Sequence, residues 1–239
     1  MVHARFMAGT AAVLFSALPL HAEIFTPPNG CTLTMTVQSR QCTVANYYSC
    51  ADAPGDQWIS YADGTGEFFV SRIDSETRWI ESYSRDTGKT DRLSPDSADN
   101  ASFSELLQTG RDDYDFITSS SSGEERRYVG YDLLTGEQVT IDGVTLERSE
   151  FDLTVFDSAG NFHSRRHGQQ YISRSLRSFF SDSEDFENAY GDAVHTEGAP
   201  VLFEFPGEPG FGATKPIYDC DVLMTSAPAD STTTIRPTL

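Results

Sequence analysis

The sequence predicts an all-β protein: a curved antiparallel meander sheet or partly open barrel, with one short plugging helix. Two observations carry this. Short runs rich in Trp, Ile, Tyr, Phe, Val and Thr follow one another between Gly-, Asp-, Asn- and Ser-bearing turns, the punctuation of antiparallel strands. Against them, one stretch alone carries clear start and stop signals of a helix.

Taken in chain order, residues 1–22 (MVHARFMAGTAAVLFSALPLHA) read as an export signal. Arg5 supplies the charge, Phe6 to Leu18 the apolar run, Pro19 the break and Leu20-His21-Ala22 the small-residue cleavage site. Losing Arg5 takes the net charge from −19 to −20. Residues 23–224 are then expected to form a single β-rich domain, and 225–239 a disordered tail of Thr, Pro and Ala with too little apolar surface to fold. Cys31 follows Pro28-Asn29-Gly30 rather than a lipobox, and no second apolar run approaches the about 18 residues a spanning helix needs. A periplasmic or secreted protein without a transmembrane anchor is expected.

Four cysteines, Cys31, Cys42, Cys50 and Cys220, imply two disulfides in an exported chain. Zinc is the competing use, and no Cys-x-x-Cys or Cys/His cluster supports it. Hairpin geometry ranks the pairings. Cys31–Gln38 and Cys42–Cys50 alternate like strands, and folding them about the Arg40–Gln41 bond sets Leu33 against Tyr48, Met35 against Asn46 and Val37 against Val44. Cys31 then lies opposite Cys50, at roughly 4.5–5.5 Å between Cα atoms, a separation a disulfide accepts. Cys42–Cys220 remains as the second bridge.

Further strands are expected at Gln57–Asp63, Gly66–Asp74, Thr77–Arg85, Thr90–Leu93, Tyr114–Ser119, Arg126–Leu134, Gln138–Asp142, Val144–Asp157, Asn161–Ser173, Ser178–Ser181, Val201–Phe205 and Ile217–Leu223. Residues 61–66, 83–88 and 131–136 share the pattern Tyr-x-x-x-Thr-Gly, which reads as repeated hairpin chemistry, and Asp142-Gly143 is a two-residue turn. The helix is expected over Asn100–Gly110. Asn100 or Ser102 is the cap candidate, Glu105 stands three residues after Ser102 as in a capping box, Phe103, Leu106 and Leu107 share a face, and Gly110 closes the end. Ser183–Tyr190 is read as a second helical turn, and Pro206–Pro216 as a Pro/Gly loop.

The chemistry is sparse. Thirty-six acidic residues against 17 basic ones exclude a nucleic-acid partner bound through a basic face. His163 and His167 lie four apart in a strand-like segment, which separates them by roughly 13 Å, and with His195 they suggest no metal site. No Gly-x-Ser-x-Gly elbow or phosphate-binding loop occurs, and disulfides consume the thiols. Asp96–Asn100 and Ser181–Asp185 cluster oxygen ligands without the spacing of a calcium loop, and read as solvated acidic segments. No catalytic residue, metal or cofactor is assigned.

The aromatics Phe68, Phe69, Trp79, Tyr83, Phe103, Phe116, Tyr128, Phe151, Phe156, Phe179, Phe180, Phe203 and Phe205 are expected to form the core and to line a concave face. Arg72, Arg78, Arg85, Arg126, Arg127, Arg148, Arg165 and Arg166 are expected mostly to pair with carboxylates. The resulting expectation is a non-catalytic envelope binding or interaction protein, carrying a hydrophobic ligand on its aromatic face or engaging an envelope protein. The alternative is a periplasmic hydrolase using two carboxylates without a recognisable motif.

The export segment, the Cys31/Cys42/Cys50 block, Arg111-Asp-Asp-Tyr-Asp-Phe116 and Phe205-Pro-Gly-Glu-Pro-Gly-Phe211 together resemble exported four-cysteine proteins of Gram-negative bacteria, a group that brings no activity with it. In architecture alone, the meander with its plugging helix is similar to the half-barrels of periplasmic lipoprotein carriers. That likeness implies a curved sheet and not a function.

Overall fold

The computed structural model describes residues 24–221; the expected export signal and C-terminal tail lie outside them. The strands are β1 (Cys31–Ser39), β2 (Thr43–Cys50), β3 (Gln57–Asp63), β4 (Gly66–Ile73), β5 (Trp79–Ser84), β6 (Thr90–Leu93), β7 (Arg111–Ser120), β8 (Glu125–Ile141), β9 (Val144–Asp157), β10 (Phe162–Ser173), β11 (Ser178–Asn188), β12 (Ala193–Glu197) and β13 (Pro200–Glu204). One helix, α1 (Phe103–Thr109), interrupts them. All thirteen strands join one sheet in the order β12-β11-β10-β9-β8-β7-β6-β5-β4-β3-β2-β1-β13, and every pairing is antiparallel.

That order forces curvature. A flat sheet of this many strands would span roughly 58 Å, at about 4.8 Å per strand. Yet its two edges, β12 and β13, are joined only by Gly198 and Ala199, a link that reaches about 10 Å. The sheet must therefore curl until its edges approach each other. Hydrogen bonds fix the seam: Gly198 N–H donates to Asp182 O, and Arg40 N–H to Ala199 O. The meander is an open, strongly curved sheet with its apolar face inward.

The inner face holds Met35, Val37, Ala45, Tyr47, Ile59, Ile73, Leu146, Tyr171, Phe180 and Phe203 as one buried cluster. A second cluster joins Tyr114, Phe116 and Leu153. Helix α1 adds a third by setting Phe103 and Leu106 against Ile172. Its boundaries follow from the caps: Ser102 Oγ accepts from Glu105 N–H, and Gly110, left-handed at φ 84°, donates to Leu106 O.

The first hairpin is buried on both faces, which explains its polar residues. Thr36, Gln38 and Asn46 are almost wholly buried and point away from the Met35/Val37 side, toward an extended C-terminal strap. Asn46 Nδ2 donates to Ala213 O, Gln38 Nε2 to Lys215 O, and Gly212 N–H to Thr36 Oγ1. Ile217 N–H donates to Gln38 Oε1. Side chains thus replace a ladder, and residues 217–221 form no strand, contrary to the expectation for Ile217–Leu223; Ile217 stands 63% exposed. The disulfide Cys42–Cys220 fastens this strap, and Cys31–Cys50 closes the mouth of the hairpin.

The expected hairpin register holds only through Leu33–Tyr48. Beyond it a bulge at Thr34, whose Oγ1 donates to Tyr47 O, slips the pairing by one residue, so that Met35 faces Tyr47 and Val37 faces Ala45. The turn then contains Arg40, Gln41 and Cys42, the last two at positive φ. Three further corrections have one cause, pairing partners that local propensity cannot see. Arg126–Leu134 and Gln138–Asp142 merge into β8 across an irregularity after Leu134. Ser183–Tyr190 is mostly strand, because β10 and β12 pair with it from both sides. Strand β12, absent from the sequence reading, forms beside it.

Candidate functional site

The strand register builds the site. On β7, Asp112, Tyr114, Phe116 and Thr118 alternate inward, each buried between half-exposed or exposed neighbours. Their direct partners on β8 are Asp132, Gly130, Tyr128 and Arg126. On β9, Phe151 pairs with Asp132 and Leu153 with Gly130; on β10, Gly168 pairs with Phe151 and Arg166 with Leu153. Reading across the sheet, one inward row is therefore Asp112–Asp132–Phe151–Gly168–Glu184, and the next is Tyr114–Gly130–Leu153–Arg166–Phe186. A polar row lies beside an aromatic one.

Glycine at 130 is a steric requirement. A Cβ there would sit 2.9 Å from Tyr114 Cε2 and clash with Asp152 O, so the absent side chain is what lets the Tyr114 ring lie down on the sheet.

These rows bound a cavity of about 170 Å³ inside the curl. Protein interiors leave few voids larger than a water molecule, so a space of this size is a feature and not a packing remainder. Its aromatic wall includes Trp79, Tyr114, Phe116, Phe151, Phe179 and Phe180. Trp79 meets Phe116 edge-on at 5.5 Å and Tyr128 at 5.6 Å, while Phe116 stacks on Tyr128 at 4.9 Å. The lining also reaches the seam, at Ser39, Arg40, Thr196 and Gly198, where the Arg40 side chain is 54% exposed.

Set into this wall are two carboxyls. Asp112 and Asp132 face each other across β7 and β8, are 3% and 7% exposed, and both line the cavity. Asp112 Oδ2 accepts from Ser102 N–H at 2.8 Å, and Asp132 Oδ1 accepts from Gln170 Nε2 at 2.5 Å. Among the described residues neither makes an ion pair. Burial pushes Asp132 up to about 8, with repulsion from Asp112 adding to it and the Gln170 bond opposing it. Burial also pushes Asp112 up to about 6, against the Ser102 N–H and with Glu105, Asp99 and Asp113 adding. Burial thus favours the protonated form of Asp132. Nearby, Asn100 Oδ1 also belongs to the lining residues' polar set; it is buried without a hydrogen-bond partner among the described residues.

The other acids of the lining are neutralised. Glu184 pairs with Arg166, whose guanidinium lies 4.7 Å over the Phe186 ring, and Asp182 pairs with Arg148. Arg78, also lining, pairs with Asp74. Indeed all eight arginines singled out from the sequence lie within ion-pair distance of a carboxylate.

The structure separates the remaining candidates. Of the aromatics expected on the concave face, Trp79, Phe103, Phe116, Phe151, Phe179 and Phe180 line the cavity, whereas Phe203 packs in the neighbouring core. His163 is half-buried, and burial together with Arg126 lowers its basicity. His167 pairs in register with Asp152 and Asp185, and His195 Nδ1 lies 2.8 Å from Asp185 Oδ1 on the exposed edge. Among the described residues no group of three or more His, Cys, Asp or Glu is placed to hold a metal. Ser181–Asp185 is part of β11, and Asp96–Asn100 is the loop leading to α1.

Sequence reasoning did not single out Asp112 or Asp132. The signal was there: in RDDYDFITSS the alternation puts Asp112 on the face of Tyr114 and Phe116, and in RRYVGYDLL it puts Asp132 on the face of Tyr128. An acid on an apolar face is the departure worth finding. Comparison with protein-family models, with curated proteins and with solved structures gives no match for this chain.

Proposed function

We propose that this chain is an exported binding protein that holds a small hydrophobic molecule inside its curled sheet. The observation that supports this is the aromatic-walled cavity of about 170 Å³. An engineered apolar cavity of about 150 Å³ binds benzene, so this one suits a ligand of about one ring with a short chain rather than a full acyl chain. The two disulfides fit a compartment outside the cytoplasm. Mass spectrometry under native conditions, on protein prepared gently from its source compartment, is expected to show a stoichiometric small-molecule adduct that solvent extraction releases. A clean mass, with no saturable binding of single-ring hydrophobes added afterwards, would overturn the proposal.

The facing carboxyls favour a second reading, a hydrolase in which protonated Asp132 acts as general acid and Asp112 as base or nucleophile. Size decides against it: a cavity for one ring, walled by strands, gives a glycan polymer no path past the pair. Turnover of a small glycoside or ester, lost in both Asp112→Asn and Asp132→Asn, would reverse that judgement.

A further inference from the structure

We infer that the cavity is built for an amine: a small cationic molecule whose ammonium group sits between Asp112 and Asp132 and whose apolar body lies against the aromatic wall. The inference rests on the ligand-binding reading above and adds the chemistry of the head group.

A buried carboxyl is unfavourable unless it is paired, and two facing each other add repulsion. Elsewhere around the cavity the cost is met, by Arg148 at Asp182 and by Arg166 at Glu184. At Asp112 and Asp132 the partners are one backbone N–H and one side-chain amide, neither of which brings a charge. The cations that line the cavity on neighbouring elements, Arg78 and Arg166, are paired with Asp74 and Glu184. Asp99 and Glu105 lie on the Asp112 side, and the neighbours in the inward row are Phe151 and Gly168. The site thus presents acceptor oxygens and a negative potential to the cavity, and among the described residues no cation is paired with it.

The wall fits the same ligand. Phe151 is the direct strand neighbour of Asp132, and Tyr114 stands two residues from Asp112 on the same face. Aromatic faces attract a desolvated ammonium and accept its hydrocarbon part. Asn100 Oδ1 adds a buried, unpartnered acceptor for an N–H donor. A carboxylate or phosphate head would instead put a further negative charge beside the pair, which disfavours fatty acids and anionic lipids as occupants. A neutral alcohol can bond one acid but leaves the charge unmatched.

Isothermal titration of the oxidised full-length protein at pH 7 compares three molecules of one shape: 2-phenylethylamine, 2-phenylethanol and phenylacetate. The amine is expected to bind at least tenfold tighter than the alcohol, with phenylacetate weakest. In Asp112→Asn/Asp132→Asn the amine is expected to fall to the affinity of the alcohol, while the alcohol binds as in the parent, which also shows that the cavity is intact. Equal affinity for amine and alcohol in the parent protein, or tightest binding of phenylacetate, would overturn the head-group inference and leave the binding protein standing. Binding of none of the three would remove both.

Discussion

Replacing Asp132 by Asn tests the electrostatics of the site without any ligand. Asn has the shape of a protonated Asp, and its Oδ1 can still accept from Gln170 Nε2. In the folded protein Asp132 is pushed up to about 8, whereas in the unfolded chain it titrates near the ordinary value of about 3.9. Between those values the folded state binds one proton more than the unfolded state, so stability falls as pH rises, by about 1.4 kcal/mol per pH unit. From pH 5 to pH 7 the parent loses roughly 2–3 kcal/mol through this one group, and the variant does not. For a chain of this size that corresponds to roughly 5–11 °C in Tm. Thermal unfolding by circular dichroism, on oxidised parent and variant at both pH values, is the assay. The variant is expected to gain on the parent as pH rises, with the difference widening by about 5 °C or more. A difference independent of pH would show that Asp132 is already ionised in the fold, and the argument for a protonated buried pair would fail.

Other consequences follow from the same packing. Replacing Cys42 and Cys220 by Ser releases the strap from a loop with a sequence separation of 178; denaturant unfolding should show a loss of roughly 4–5 kcal/mol, and a loss below about 1 kcal/mol would mean that the side-chain bonds to the strap suffice. Leu106→Ala empties a position with no exposed surface between Phe103 and Ile172, and should cost about 2–5 kcal/mol. Arg148→Ala strips the cation from Asp182, which lies mostly buried, and from the Tyr171 ring 5.0 Å away; a loss of about 3–5 kcal/mol is expected, and rescue by Asp182→Asn in the same chain would confirm that the uncompensated carboxylate is the cause. Gly130→Ala should destabilise strongly and displace Tyr114, visible as altered near-ultraviolet circular dichroism, because its Cβ has no room against β9.

Much of the architecture was legible because it is written locally. The helix is one case: Ser102 and Gly110 perform the capping roles their positions imply, whereas Asp112, not the Glu105 side chain, takes the Ser102 N–H. Alternation located most strands, and Asp142-Gly143 placed the β8–β9 hairpin, with Asp142 itself at positive φ. What local pattern missed was set by distant partners. The Thr34 bulge is not encoded in CTLTMTVQS; it lets Met35 and Val37 face the core while Thr36 meets Gly212 from a segment far along the chain. The acidic stretch of β11 looks like a solvated turn until β10 supplies Arg166. For the same reason the carboxyl pair stayed hidden: each aspartate sits legibly on an apolar face, but only the β7–β8 register brings the two together.

The proposed binding cavity inside the curled sheet can be watched through its own tryptophan. Trp79 lines it, whereas Trp58, the other tryptophan, stacks on Tyr48 and lies under Arg72 outside the lining. A Trp58→Phe variant therefore leaves one tryptophan, in the wall, whose emission is read with excitation beyond the tyrosine band. Titrating it with 2-phenylethanol, which carries no charge and so does not depend on the carboxyl pair, should change Trp79 emission saturably at one molecule per chain. An unchanged Trp79 spectrum throughout the titration would contradict the proposal.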